Sequence, residues 1–354
     1  MKKLFMFVVL ALTIVTLSAC SGTEEVVNVY TTRHYDSDDA LYEKFTEETG
    51  IKVNIINDNA PALIEKVKAE GDVPQADVFF SADAGYLALA KSEGILQSID
   101  SDTLESNVPA KYQDADNMWF GLTKRARVFL YDNSIDPTGL TYQNVADEYP
   151  NDIIARSSSN IYNQSLVASF VALWGETETT EWVEGIVNNM ARVPEGNDRD
   201  QAVAIANGEA KIAIANSYYY GKLVNETDQT SSYYGVADEV GIYFPSQGEN
   251  ESGAHVNVSG AGVINNAQNK ENAIKLIEFL SSISVQETFS AANYEFPVNP
   301  EADMSDLLQS WLTDQGLSAI KEQDIQLSVL GEYNETALII MTNANWDNPS
   351  HLTE

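Results

Sequence analysis

This 354-residue chain is poor in sulfur, imidazole and positive charge, with one cysteine, three histidines and 20 lysines and arginines against 53 aspartates and glutamates. A single cysteine, Cys20, excludes any disulfide within the chain. His34, His255 and His351 lie far apart, without the close spacing that zinc sites use. The formal charge of -33 argues against nucleic acid as a partner and against electrostatic docking on anionic lipid. The acids are spread along the chain and form no Asp-x-Asp-x-Asp-Gly loop, so they read as a solvated surface and give calcium no motif. Repeats, low-complexity tracts and a flexible linker are also missing.

An uncharged, apolar run from Leu4 to Ser18 is too short for a comfortable membrane span. Lys2 and Lys3 precede it and Leu17-Ser18-Ala19-Cys20 ends it, which is the pattern of a secretory signal with a lipoprotein cleavage box. Residues 1–19 are therefore expected to be removed. Cys20 then becomes a lipid anchor that holds the protein outside the cytoplasm, on the outer face of the cell membrane or in a periplasm. The rest is longer than one hydrophobic core usually serves, so two lobes are expected.

From Val26 onward, short β-rich runs alternate with helical patterns, which predicts an α/β protein with largely parallel strands. Strands are predicted at Val26 to Thr31, Ile51 to Ile56, Ala76 to Phe80, Asp152 to Arg156, Lys211 to Asn216, Gly241 to Pro245 and Ala254 to Ile264. Helices are predicted at Asp38 to Thr49, Pro61 to Glu70, Ala84 to Ser92, Asn163 to Trp174, Arg199 to Ala206 and Lys270 to Ile283. The segment Trp119 to Tyr131 reads as one long strand able to pass between lobes, giving a hinge of crossing strands.

Tyrosine is plentiful, with 17 in the chain, and four of them fall at telling places. Tyr35, Tyr162, Tyr218 and Tyr219 each follow the C-terminal end of a predicted strand. Open α/β sheets bind ligands there, and the helices that start there present positive N-termini to anions. Several phenolates together suit Fe(III), a small hard cation that prefers oxygen anions, and the chain has no thiol cluster to compete. A phenol has a pKa of about 10, but a trivalent cation displaces its proton near neutrality. Two other readings of the same residues stay open. Aromatic rings could box an organic cation, and Ser157 to Asn160 could ring an oxyanion with donors. A secreted hydrolase using Ser158 or Ser217 lacks a nucleophile elbow and an ordered histidine and acid, so no catalytic residue is expected.

Four stretches carry a resemblance to a known family. They are Val29-Tyr30-Thr31-Thr32-Arg33-His34-Tyr35, Ser157-Ser158-Ser159-Asn160-Ile161-Tyr162-Asn163-Gln164-Ser165, Gly196-Asn197-Asp198-Arg199-Asp200-Gln201 and Asn216-Ser217-Tyr218-Tyr219-Tyr220-Gly221-Lys222-Leu223. Asn257-Val258-Ser259-Gly260-Ala261-Gly262 and Tyr294-Glu295-Phe296-Pro297-Val298-Asn299-Pro300 add framework matches. In order and spacing they resemble the ferric-ion-binding proteins of bacterial ABC importers, over essentially the whole mature chain.

The resemblance implies a two-lobed periplasmic-binding-protein fold of type II with the metal in the interlobe cleft. It implies Fe(III) as the transported ligand, held by Tyr35, Tyr162, Tyr218 and Tyr219 with His34 as a fifth donor, and an ABC permease and ATPase as partners of a monomer. Lys222 stands where relatives often have arginine. The lobes are expected at residues 20–121 with about 245–292, and at about 122–244 with about 293–354. Four phenolates against Fe(III) leave one negative charge, which calls for a nearby cation. Arg33, Arg125, Arg127, Arg199 and Lys222 are candidates, with Arg33 and Arg199 preferred.

Overall fold

The computed structural model describes residues 25–352, so the signal segment and Cys20 lie outside the described residues. Among the described residues no helix is long and apolar enough to cross a membrane.

The chain opens with three β-α units. Strand Val26–Thr31 lies between the parallel strands Lys52–Asn57 and Val78–Ser81. The intervening helices start and stop for local reasons. Gly50, in the left-handed region at φ 75, ends helix Asp36–Thr49, as glycine readily can. The Asn59 side chain caps helix Ala60–Glu70, with Pro61 in its first turn, and the Asp83 carboxylate caps Ala84–Ser92 by accepting from the Gly85 N–H. Apolar faces of these helices close on the strands, burying Val29, Phe45, Phe79 and Leu87 in one core. Each such side chain contributes about 1.5–3 kcal/mol by leaving water.

Strand Phe120–Asp132 joins the lobes. From Phe120 to Ala126 it pairs antiparallel with Val256–Ile264, which in turn lies beside Val78–Ser81. From Arg127 onward it pairs with Ile212–Asn216 and then with Val240–Tyr243, in the second lobe. The partner change falls between Ala126 and Arg127, so one continuous strand belongs to both sheets. Successive side chains in the second lobe point to opposite faces. Phe129 enters a core with Tyr142, Phe170 and Trp182, whereas Val128 and Leu130 enter another with Phe244, Phe296 and Trp311.

The structure departs from the sequence expectations in four places. The strands are less parallel than predicted, because the two that cross between lobes run antiparallel to each other and to their neighbours. The helix expected to stop at Trp174 does stop there, but after Gly175, at φ 82 and ψ 170, the chain enters at once a second helix that runs to Asn188 and was not expected. Helices Ile283–Asn293, Asp306–Asp314 and Asn334–Asn343 were not anticipated. Leu327 and Leu330 pack in the first core, although the expected division placed them in the second lobe.

A close approach behind the second lobe gives a test of the packing. A Cβ on Gly221 would lie 2.3 Å from Cγ of Tyr294, whose own backbone sits at φ 59. Gly221→Ala is expected to destabilise the protein by about 1–3 kcal/mol despite alanine's better helix propensity, because the ring has to move. A urea midpoint equal to or above that of the wild type would contradict this.

Candidate metal-binding site

The four tyrosines stand at three helix N-termini. Tyr35 is the N-cap of helix Asp36–Thr49, fed by strand Val26–Thr31. Tyr162 lies in the first turn of Ile161–Asn188, capped by the Asn160 side chain accepting from the Tyr162 N–H at 3.1 Å. Tyr218 and Tyr219 open helix Ser217–Val224 directly after strand Ile212–Asn216. The strand-to-helix junctions that the sequence marked are therefore real. Each presents the positive end of a helix, which favours a phenolate.

The second-lobe tyrosines touch one another. The Tyr218 hydroxyl donates to the Tyr162 hydroxyl at 3.4 Å, and the Tyr218 and Tyr219 rings lie 4.2 Å apart between centroids. Lys222 brings in the first lobe. Its Nζ is 4.3 Å from the Tyr35 ring centroid, 5.5 Å from that of Tyr218 and 5.8 Å from that of Tyr219. One ammonium thus stands among rings from both lobes.

Burial is the first cause that pushes the hydroxyls of Tyr35, Tyr218 and Tyr219 well above the usual phenol range. Next come the neighbours: Glu295 and Tyr162 for Tyr35, Tyr162 and Tyr35 for Tyr218, Tyr162 and Asp198 for Tyr219. Arg33 opposes the shift at Tyr35, and a hydrogen bond from Tyr218 and the charge of Arg156 oppose it at Tyr219. Left to themselves these groups stay protonated, because two phenolates this close repel in a medium that hydrates neither. Only a highly charged cation bound among them reverses that balance.

The remaining site candidates are placed differently. His34 is exposed at the rim, its ring 5.5 Å from that of Tyr35 and its Nδ1 3.5 Å from the Thr32 carbonyl. Arg33 is buried 4.9 Å from the Tyr35 ring, but its charge is taken by Asp38 at 2.8 Å and Glu295 at 3.0 Å. It orients Tyr35 rather than offering a spare positive charge. Arg199 lies 4.0 Å over the ring of Tyr233, and its charge acts on Lys222. The cations beside the phenols are instead Lys222, Arg125 at 5.1 Å from the Tyr162 ring, and Arg156. Sequence reading did not single out Arg156, although it immediately precedes the Ser157 to Ser165 stretch.

Distant segments hold these groups. Trp346 Nε1 donates to the Arg156 carbonyl at 2.8 Å, and the Ser158 N–H donates to Asp347 at 2.9 Å, with the Ser158 hydroxyl on the other Asp347 oxygen. The C-terminal region thereby fixes the loop that leads into Tyr162. No local signal in the sequence announces Asp347. Between the lobes, the buried Asp83 carboxylate of the first accepts from Ser165 of the second at 3.0 Å, and from Arg125 at 3.1 Å and Asn257 at 2.9 Å. Among the described residues no group of three or more His, Cys, Asp or Glu side chains could hold a metal, so phenol oxygen is the donor set the cleft offers.

The profile of a family described as bacterial extracellular solute-binding protein matches residues 40–313. The chain belongs to that family. This solute-binding protein is 41% identical to iron uptake protein A1 of Synechocystis sp. over 98% of both chains. It is 28% identical to the major ferric iron-binding protein of Neisseria meningitidis, over 82% of this chain and 86% of that one. Among solved structures, a Trichodesmium FutA in complex with iron and citrate superposes with a TM-score of 0.83 at 43% identity, covering 91% of this chain and 99% of the other. A ferric binding protein from Campylobacter jejuni gives 0.82 at 35%, covering 90% and 99%. The two-lobed type II architecture is that of these proteins.

Proposed function

We propose that this solute-binding protein captures Fe(III) outside the cytoplasm and hands it to an ABC permease driven by its ATPase. The observation that carries the reading is the convergence of Tyr35, Tyr162, Tyr218 and Tyr219 from two lobes and three helix N-termini. Similarity to iron uptake and ferric iron-binding proteins over most of the chain supports it. In this reading the four phenolates are the ligands. His34, one residue from Tyr35 and held only by a 3.5 Å contact, swings in as the fifth donor when the lobes close. Lys222, Arg125 and Arg156 offset the single negative charge left by four phenolates on Fe(III). Fe(II) would leave two, so reduction favours release.

Because donors come from both sides of the cleft, a bound metal favours the closed form, the one that docks on the permease. We place the first lobe at residues 20–121 with about 245–292 and a further contribution from Leu327 and Leu330, and the rest of the mature chain in the second. The protein works as a monomer without covalent chemistry, anchored by lipid on Cys20.

The test is a titration with ferric citrate of the protein lacking its first 20 residues. A ferric phenolate absorbs strongly in the visible, so a saturable coloured complex at one metal per chain is expected, and Zn(II) should give none. A colourless protein after removal of excess citrate would refute the reading.

A further inference from the structure

The helix Ser217–Val224 has a second face. Tyr220 and Val224, one helical turn apart, look away from the cleft into a separate cavity of about 610 Å³ in the second lobe. Tyr131, Tyr243 and Trp311 form its other aromatic walls, and Asp136 and Asp314 stand at its exposed rim. No lysine or arginine is among the residues lining it.

Its walls are built. Trp311 is 4% exposed and packs edge-on against Tyr220, with ring centroids 5.6 Å apart. The Tyr243 hydroxyl is fixed by accepting from the Gly139 N–H at 3.0 Å. Strand Val240–Tyr243 has a glycine where the Tyr131 ring lies on it, since a Cβ on Gly241 would be 2.4 Å from that ring. Burial, then Asp136 and Asp314, push the Tyr131 hydroxyl up, and burial, then Tyr131, Asp314 and Asp238, do the same to Tyr220. The rings stay neutral, and hydrogen bonds from Thr138 hold the Asp136 carboxyl below the usual carboxylate range.

A concave site with several aromatic faces, anionic groups at its mouth and no competing cation selects a small organic cation. A bare metal ion would find too few fixed oxygen ligands, and an anion would meet two carboxylates with no lysine or arginine to offset them. We propose that this cavity binds a small organic cation of the primary-amine or quaternary-ammonium class, seated against Tyr131, Tyr220 and Trp311 with its charge toward Asp136 and Asp314.

The test uses choline chloride and its uncharged carbon isostere, 3,3-dimethylbutan-1-ol, with the indole N–H resonance of Trp311 as reporter, assigned by its loss in Trp311→Phe. Choline is expected to shift that resonance saturably, and the alcohol to bind at least about tenfold more weakly, the scale of one desolvated cation–π contact. Tyr131→Ala should weaken choline by about tenfold. Asp314→Asn, at an exposed position where folding is not at issue, should weaken it several-fold. Equal binding of the two probes would overturn the proposal. So would wild-type choline binding in both variants, or no saturable shift by ~100 mM. Because the reporter is Trp311 and not colour, the outcome is independent of ferric binding in the cleft.

Discussion

Tyr218→Phe is expected to bleach the ferric protein and to lower its affinity for Fe(III) by at least about a hundredfold, since losing a neighbour of a ligand already costs about 10–100-fold. The hydroxyl removed is deeply buried and is the one that donates to Tyr162 at 3.4 Å. Phenylalanine keeps the ring in contact with Tyr219 at 4.2 Å, so the packing survives while one anionic oxygen is lost. Tyr35→Phe should act as strongly on affinity and also uncouple closure, because Tyr35 is the first lobe's tyrosine in the set. Small-angle scattering with and without iron reads that difference. A Tyr218→Phe protein that keeps the colour and the affinity would remove Tyr218 from the ligand set. Proton competition has a definite sign here. The phenols of Tyr35, Tyr218 and Tyr219 are pushed up, so binding iron releases protons and affinity falls as pH falls.

Acid should also loosen the hinge, through His255. This side chain is 1% exposed, its Nδ1 donates to Gln323 at 3.2 Å, and burial, with the Arg127 and Arg125 charges adding, pushes its pKa down from 6.5 to about 3. It sits where the crossing strand changes partners, its carbonyl accepting from the Arg127 N–H at 2.9 Å and its N–H donating to Tyr142 at 3.1 Å. A folded pKa below the unfolded one means that the unfolded chain binds the extra proton. Stability from this group is therefore full above pH 6.5 and is lost as pH falls toward about 3. The loss is on the order of 5 kcal/mol over that window, and roughly 3 kcal/mol by pH 4.5. His255→Gln keeps a polar partner for Gln323 and cannot titrate. Its urea stability should lose that much less than the wild type between pH 7 and pH 4.5, other groups being common to both. Parallel pH profiles for the two proteins would show that His255 is not the titrating group.

How much of this was legible in advance depended on the range of the forces involved. Strand Val26–Thr31 and helix Ala84–Ser92 have the limits expected from apolar periodicity and caps, because those are set by neighbours a few residues away. The helix end at Trp174 was legible in the same way, but that a second helix follows Gly175 at once depends on what packs beyond, here Trp182, Val183 and Ile186 in the second-lobe core. The same limit applied to the cations. Arg33 and Arg199 flank recognisable motifs, yet Asp38, Glu295 and Tyr233 occupy them, and Glu295 reaches Arg33 from 262 residues away.

The sequence by itself determined the α/β class, the absence of disulfides and of clustered thiol or imidazole donors, and the four tyrosines at strand-to-helix junctions. Composition, periodicity and turn chemistry are written locally. Only the tertiary structure decided that Lys222 and Arg156 stand beside the phenols, that Asp347 holds the Tyr162 loop, and that Tyr220 faces a second cavity. These outcomes turn on which side chains meet across long loops, where a shift of a few ångströms separates a neighbour from a bystander and burial sets the charge each group can carry.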